Sequence, residues 1–122
     1  KILISSSADN SGNILTNSSF IAKDTKNTKK IIAKDNIKTG SLENTDIVAT
    51  DASLKVAGNL NNSGNISAIE EITIEENAKN TGSILTNSSF RAKDTKTTNK
   101  LVAMGEINTK NLVNEGELAT KG

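Results

Sequence analysis

The residues with the clearest capacity for chemistry are lysines, and they come in two matching clusters. Lys23-Asp24-Thr25-Lys26-Asn27-Thr28-Lys29-Lys30 recurs as Lys93-Asp94-Thr95-Lys96-Thr97-Thr98-Asn99-Lys100. Ammonium groups repeated at a fixed interval suit a sulfated or anionic glycan, or an acidic host surface. Lys23, Lys26, Lys29, Lys30, Lys93, Lys96 and Lys100 are therefore the candidate contacts. The plainer alternative is a polar segment copied along with its repeat. Carboxylate chemistry has weaker candidates. Cleavage of a polysaccharide needs two acids facing one cleft. The nearest pairs, Glu70-Glu71 and Glu75-Glu76, read as solvated corners.

Composition removes other chemistries. With no His and no Cys, Ser-His-Asp and Cys-His nucleophiles and the usual zinc ligands are missing. No dense Asp run forms a calcium loop. The expectation is a non-enzyme with no catalytic, metal or cofactor-binding residues. Formal net charge is +1, so no strong field recruits nucleic acid. Phe20 and Phe90 are the only aromatics, which leaves almost nothing for bases to stack on. No membrane-spanning run or signal peptide occurs. Asn17, Asn61, Asn65 and Asn87 open Asn-x-Ser triplets, common by chance in a chain this rich in Asn and Ser.

The lysines are positioned by a repeat. Residues 1–52 match residues 71–122, an offset of 71 − 1 = 70. Ile14-Leu15-Thr16-Asn17-Ser18-Ser19-Phe20 returns as Ile84-Leu85-Thr86-Asn87-Ser88-Ser89-Phe90. Self-similarity of this kind marks a stack of like units. Within that unit a finer period of roughly 17.5 residues runs through apolar columns. One is Ile2, Phe20, Ile37, Leu54, Ile72, Phe90, Ile107. A second is Ile14, Ile32, Val48, Ile66, Ile84, Val102, Leu118. A third is Ile4, Ala22, Thr39, Val56, Ile74, Ala92, Thr109.

Short runs such as Leu54-x-Val56 and Ile72-x-Ile74 alternate, as half-buried strands do. Between them, Asn-Ser-Gly at 10–12 and 62–64 and Asn-Thr-Gly at 80–82 are turn chemistry, with glycine suited to positive φ. Asp46 stands at the repeat position of Gly12, Gly64, Gly82 and Gly116. The expected fold is all-β: a parallel β-solenoid over 1–122, with about seven coils of roughly 17–18 residues each. Apolar columns lie inside, and Asn, Ser, Thr and Lys outside. An apolar 34% suffices for a thin rod. The chain reads as an excerpt of a longer shaft, since no capping segment is visible at either end.

Two local expectations concern the lysines and threonines. Where other coils carry Ala8, Leu42, Leu60, Ala78 or Leu112, the basic coils are read as holding Lys26 and Lys96, with Lys30 and Lys100 replacing the turn Gly. That side is expected to buckle outward or lie flat and wet. Thr16, Thr50, Ala68, Thr86 and Thr120 read as an inward column, broken as a threonine array by Lys34, Met104 and Ala68, which disfavours flat ice binding.

The stretch Leu54-Lys55-Val56-Ala57-Gly58-Asn59-Leu60-Asn61-Asn62-Ser63-Gly64-Asn65-Ile66-Ser67-Ala68 resembles the filamentous-haemagglutinin repeat. Ala78 to Ile84, Leu112 to Thr120 and Gly40 to Asn44 fit the same pattern. The coils through 23–30 and 93–100 fit it poorly. The resemblance covers about two thirds of the chain. It implies a right-handed parallel β-helix within a large exoprotein, secreted or on the cell surface of a Gram-negative bacterium. It further implies export through an outer-membrane β-barrel transporter. The relatives so implied are adhesins, haemagglutinins and the stick proteins of contact-dependent inhibition that carry a toxin. No binding residue is carried over from the family. The expected role is an adhesive shaft segment facing a host or neighbouring-cell receptor or glycan. The alternatives are a carbohydrate-binding module using the lysines, or the stick of a toxin-delivery protein.

Overall fold

The computed structural model describes residues 1–121; Gly122, at the end of the expected 1–122 segment, lies outside the described residues. Among them the chain is all-β, with strands and corners only. Every strand pairing is parallel, and each strand bonds to the strand one coil away. About seven coils stack into a β-solenoid. Each coil has three walls. The first two walls share one sheet, because Ile2–Asn10, Phe20–Asn27, Phe90–Thr97 and Ile107–Asn114 bend through both. The third wall is a separate seven-stranded sheet.

The first wall follows the expected column: Ile2, Phe20, Ile37, Leu54, Ile72, Phe90 and Ile107 stand in register. Phe20, Ile72 and Phe90 are fully buried. Period-two alternation directs Phe20 and Ala22 inward and Ile21 outward between them, and the same holds up the wall. The Thr39–Val56–Ile74 run beside it also pairs as expected.

The third wall corrects the second column by one residue. Ile14 pairs with Ile31, not Ile32, and Ile84 pairs with Leu101, not Val102. Ile31 and Leu101 are buried at 1% and 0% exposure. Ile32 and Val102 face outward beside Leu15 and Leu85. The physical cause is coil length. These coils take the shorter step, the one that carries Asn10 to Asn27 and Asn80 to Thr97, and not the longer step from Asn44 to Asn62. A slip of a single position in a strand exchanges its two faces.

The length difference arises at one corner. Between the first and second walls, Lys23-Asp24, Gly40-Ser41, Lys93-Asp94 and Lys110-Asn111 turn the shorter coils. Ser5-Ser6-Ser7, Ala57-Gly58-Asn59 and Glu75-Glu76-Asn77 turn the longer ones. In the first coil the extra residue is a bulge between Ile4 and Ser7. The other two corners keep one length throughout.

The same slip corrects the threonine column, which is unbroken: Thr16, Ala33, Thr50, Ala68, Thr86, Ala103, Thr120. Threonine and alanine alternate coil by coil. Each upper Thr hydroxyl donates to a carbonyl in the corner of the coil below: Thr50 to Asp35, Thr86 to Glu70, Thr120 to Gly105. Those carbonyls belong to residues two places after Ala33, Ala68 and Ala103. The small side chain beneath leaves the hydroxyl its path.

Asparagine departs furthest from the expected outside position. Asn10, Asn27, Asn44, Asn62 and Asn80 are buried, four of them completely. They form a ladder in which each Nδ2 donates to Oδ1 of the next: 2.8 Å for Asn10–Asn27, 2.8 Å for Asn27–Asn44, 2.9 Å for Asn44–Asn62 and 2.8 Å for Asn62–Asn80. Thr97 Oγ1 accepts the last bond at 3.0 Å. The same amides donate to carbonyls at the start of the third-wall strands, such as Asn27 to Ile47 at 2.8 Å and Asn80 to Lys100 at 2.7 Å. No buried side-chain polar atom among the described residues lacks a partner, so the polar column carries no desolvation penalty left unmet.

The glycines also act differently from expectation. No described residue, glycine included, has positive φ. Crowding between coils is what requires Gly64, Gly82 and Gly116. A Cβ on Gly82 would lie 2.1 Å from the Gly64 carbonyl oxygen, and one on Gly64 2.2 Å from that of Asp46.

Candidate functional site

The seven candidate lysines are exposed or half-buried, and they circle the coil instead of sharing a face. Lys23 and Lys93 sit on the corner between the first and second walls, Lys26 and Lys96 on the second wall, Lys29 on the next corner, and Lys30 and Lys100 on the third wall. The basic coils do not buckle outward. Phe20–Asn27 and Phe90–Thr97 are continuous strands. The inner positions expected for Lys26 and Lys96 belong to Thr25 and Thr95, 4% and 3% exposed. Thr25 Oγ1 lies 2.9 Å from Thr39 Oγ1, and Thr95 Oγ1 lies 3.0 Å from Thr109 Oγ1. The Thr25–Thr39 pair is buried and the Thr95–Thr109 pair part-buried, so the inward hydroxyls of the basic coils satisfy each other. The turn-glycine position is held by Lys29 and Asn99, one place before the expected Lys30 and Lys100; the carbonyls of Lys29 and Asn99 accept from Ile47 and Glu117 above, as Gly64 accepts from Ser83.

On the outer surface of the second wall the two lysine clusters part company. Lys26 stands between Asp9 in the coil below and Glu43 in the coil above. Lys96 stands between Lys79 and Val113. The side chains at each level are neighbours at roughly 4.8 Å strand spacing, close enough for charge to act. Lys26 is thus flanked by two carboxylates and Lys96 by a second ammonium.

A shallow open groove of about 500 Å³ runs up this wall through the last four coils. One side is a corner row, Asn59, Asn77, Asp94 and Asn111; the other is Asn61, Lys79, Lys96 and Val113. The corner row is tied together: Asn59 Oδ1 accepts from the Asn77 backbone N–H at 3.0 Å, and Asp94 Oδ1 accepts from Asn111 Nδ2 at 2.8 Å. Sequence reading picked Lys96 but missed Lys79 and the asparagine rows. Lys79 lies one short coil before Lys96 and pairs with it, so a corrected coil length would have found it.

The carboxylate pairs do not converge. Glu70 and Glu71 precede the Ile72–Ile74 strand and Glu75 and Glu76 follow it, so Thr73 and the strand separate them. Glu71 accepts from Thr73 Oγ1 at 2.8 Å and pairs with Arg91 Nε at 3.3 Å; Glu75 pairs with Lys55 at 3.4 Å. Both ion pairs are about half exposed and contribute little. No cluster of three metal-binding acids occurs among the described residues.

Compared with protein-family models, curated proteins and solved structures, the chain matches none. The filamentous-haemagglutinin likeness accordingly stands on the repeat residues themselves.

Proposed function

We propose that this chain is a shaft segment of a large secreted exoprotein that holds a binding surface away from a Gram-negative cell. The observation that supports it most is the unbroken first-wall column from Ile2 to Ile107. An element whose cross-section repeats coil after coil adds length without adding a new core. Backbone bonds along the walls, the apolar columns and the asparagine ladder all run parallel to the growth direction, so each coil is held by the next. The work is mechanical and involves no turnover. In this reading the polypeptide leaves the cell through an outer-membrane β-barrel transporter and the shaft serves an adhesin.

Antibody against residues 1–122 tests the placement. It labels intact cells of the parent bacterium, and protease added outside removes the signal. Labelling that needs a permeabilised cell overturns the proposal.

A further inference from the structure

The geometry points to the second-wall groove as a binding site for a linear acidic saccharide, lying along the solenoid axis. The inference goes beyond the shaft role and does not depend on it.

The first reason is charge. Lys79 and Lys96 are exposed, adjacent on neighbouring coils, and take part in neither ion pair found among the described residues. Two lysines whose backbones stand one strand spacing apart carry ammonium groups that repel each other, and an anion between them relieves that repulsion. Asp94, the one carboxylate of the lining, is held by Asn111. The same wall four coils lower carries Lys26, but Asp9 and Glu43 flank it there. The site is therefore confined to one end of the wall, although its sequence is copied at both.

The second reason is the kind of polar group beside the lysines. Asn59, Asn61 and Asn77 present amides, each with two donors and an acceptor. Hydroxyl-rich ligands need both. The Lys79 and Lys96 methylenes and Val113 give that side of the groove an apolar surface for the faces of sugar rings.

The third reason excludes other occupants. Leu60–Asn62, Asn77–Asn80 and Phe90–Thr97 under the groove are paired on both sides, so along these coils a peptide has no sheet edge to extend; the one open edge, that of Ile107–Asn114, runs across the end of the groove and not along it. The lining has no aromatic side chain on which a nucleic-acid base would stack. Recognition falls to side chains alone, and the open groove fits a chain rather than a compact small molecule.

The test uses the 122-residue chain and its variants Lys79→Gln/Lys96→Gln and Lys26→Gln/Lys29→Gln, each shown by circular dichroism to keep its fold. Binding is measured to polygalacturonate oligosaccharides, heparin oligosaccharides, dextran and poly-L-glutamate. The expected result is binding to one or both acidic saccharides, weakened about tenfold or more by Lys79→Gln/Lys96→Gln and changed less than about twofold by Lys26→Gln/Lys29→Gln. Preference between polygalacturonate and heparin identifies carboxylate or sulfate as the recognised group. A further loss on Asn61→Ala/Asn77→Ala supports the amide contacts. No binding to either acidic saccharide overturns the proposal. So does equal weakening by both lysine pairs, or poly-L-glutamate binding as tightly as the saccharides, since each would mean charge without a site.

Discussion

Asn44 Nδ2 donates to Asn62 Oδ1 at 2.9 Å, with both side chains fully buried. Asn44 also accepts from Asn27 below at 2.8 Å and donates to the carbonyls of Asp46 and Asn65. One amide thus ties three coils together, and its loss removes hydrogen bonds from groups in each. Asn44→Ala is expected to destabilise the chain by about 2–4 kcal/mol, because several buried hydrogen bonds are lost at once. Asn44→Thr costs less, since Thr97 already accepts the ladder bond from Asn80. Urea unfolding of the two variants checks the order; equal losses would mean the ladder contributes only volume.

Glycine substitutions separate crowding from backbone freedom. A Cβ at Gly82 meets the Gly64 oxygen and Ser63, whereas nothing lies within 4 Å of a Cβ at Gly12. Gly82→Ala is expected to cost about 1–3 kcal/mol by overpacking. Gly12→Ala should be neutral or gain up to about 1 kcal/mol from a stiffer unfolded chain. If both variants shift the denaturation midpoint alike, the stacked-corner explanation is wrong.

The third-wall register has its own test. Ile31 is buried and Ile32 faces outward. Ile31→Lys places an unpaired charge in the core and should prevent folding. Ile32→Lys should stay folded, within about 1 kcal/mol of the parent. Circular dichroism of the two reads the answer directly, and the reverse pattern would restore the Ile14–Ile32 column.

Shaft behaviour predicts additive length. Appending a further copy of the long repeat adds four coils, or about 19 Å at the strand spacing. Small-angle scattering should report that increase with an unchanged cross-sectional radius. A particle that thickens instead of lengthening would contradict stacking.

Core truncation should follow burial along the first wall. Phe90 and Leu54 are buried at 0% and 1% exposure. Phe90→Ala and Leu54→Ala are expected to cost about 3–5 and 2–5 kcal/mol. Costs below about 1 kcal/mol at either site would place it outside the core.

Much of this protein was legible in its sequence because its order is one-dimensional. The Ile2–Ile107 column, the alternation within each strand and the turn residues between strands sufficed for a parallel stack of coils. Three things required the tertiary structure. Whether a coil takes the shorter or the longer step is decided at one corner, and the single extra position there determines whether Ile31 or Ile32 meets the core. Asparagine is polar by composition, yet stacking at strand spacing lets Asn27, Asn44 and Asn62 satisfy one another inside. Lys26 and Lys96 carry the same local sequence, but their surroundings come from residues one coil away in each direction. Local chemistry was written along the chain; charge environment and desolvation depended on which side chains the stacking brought above and below.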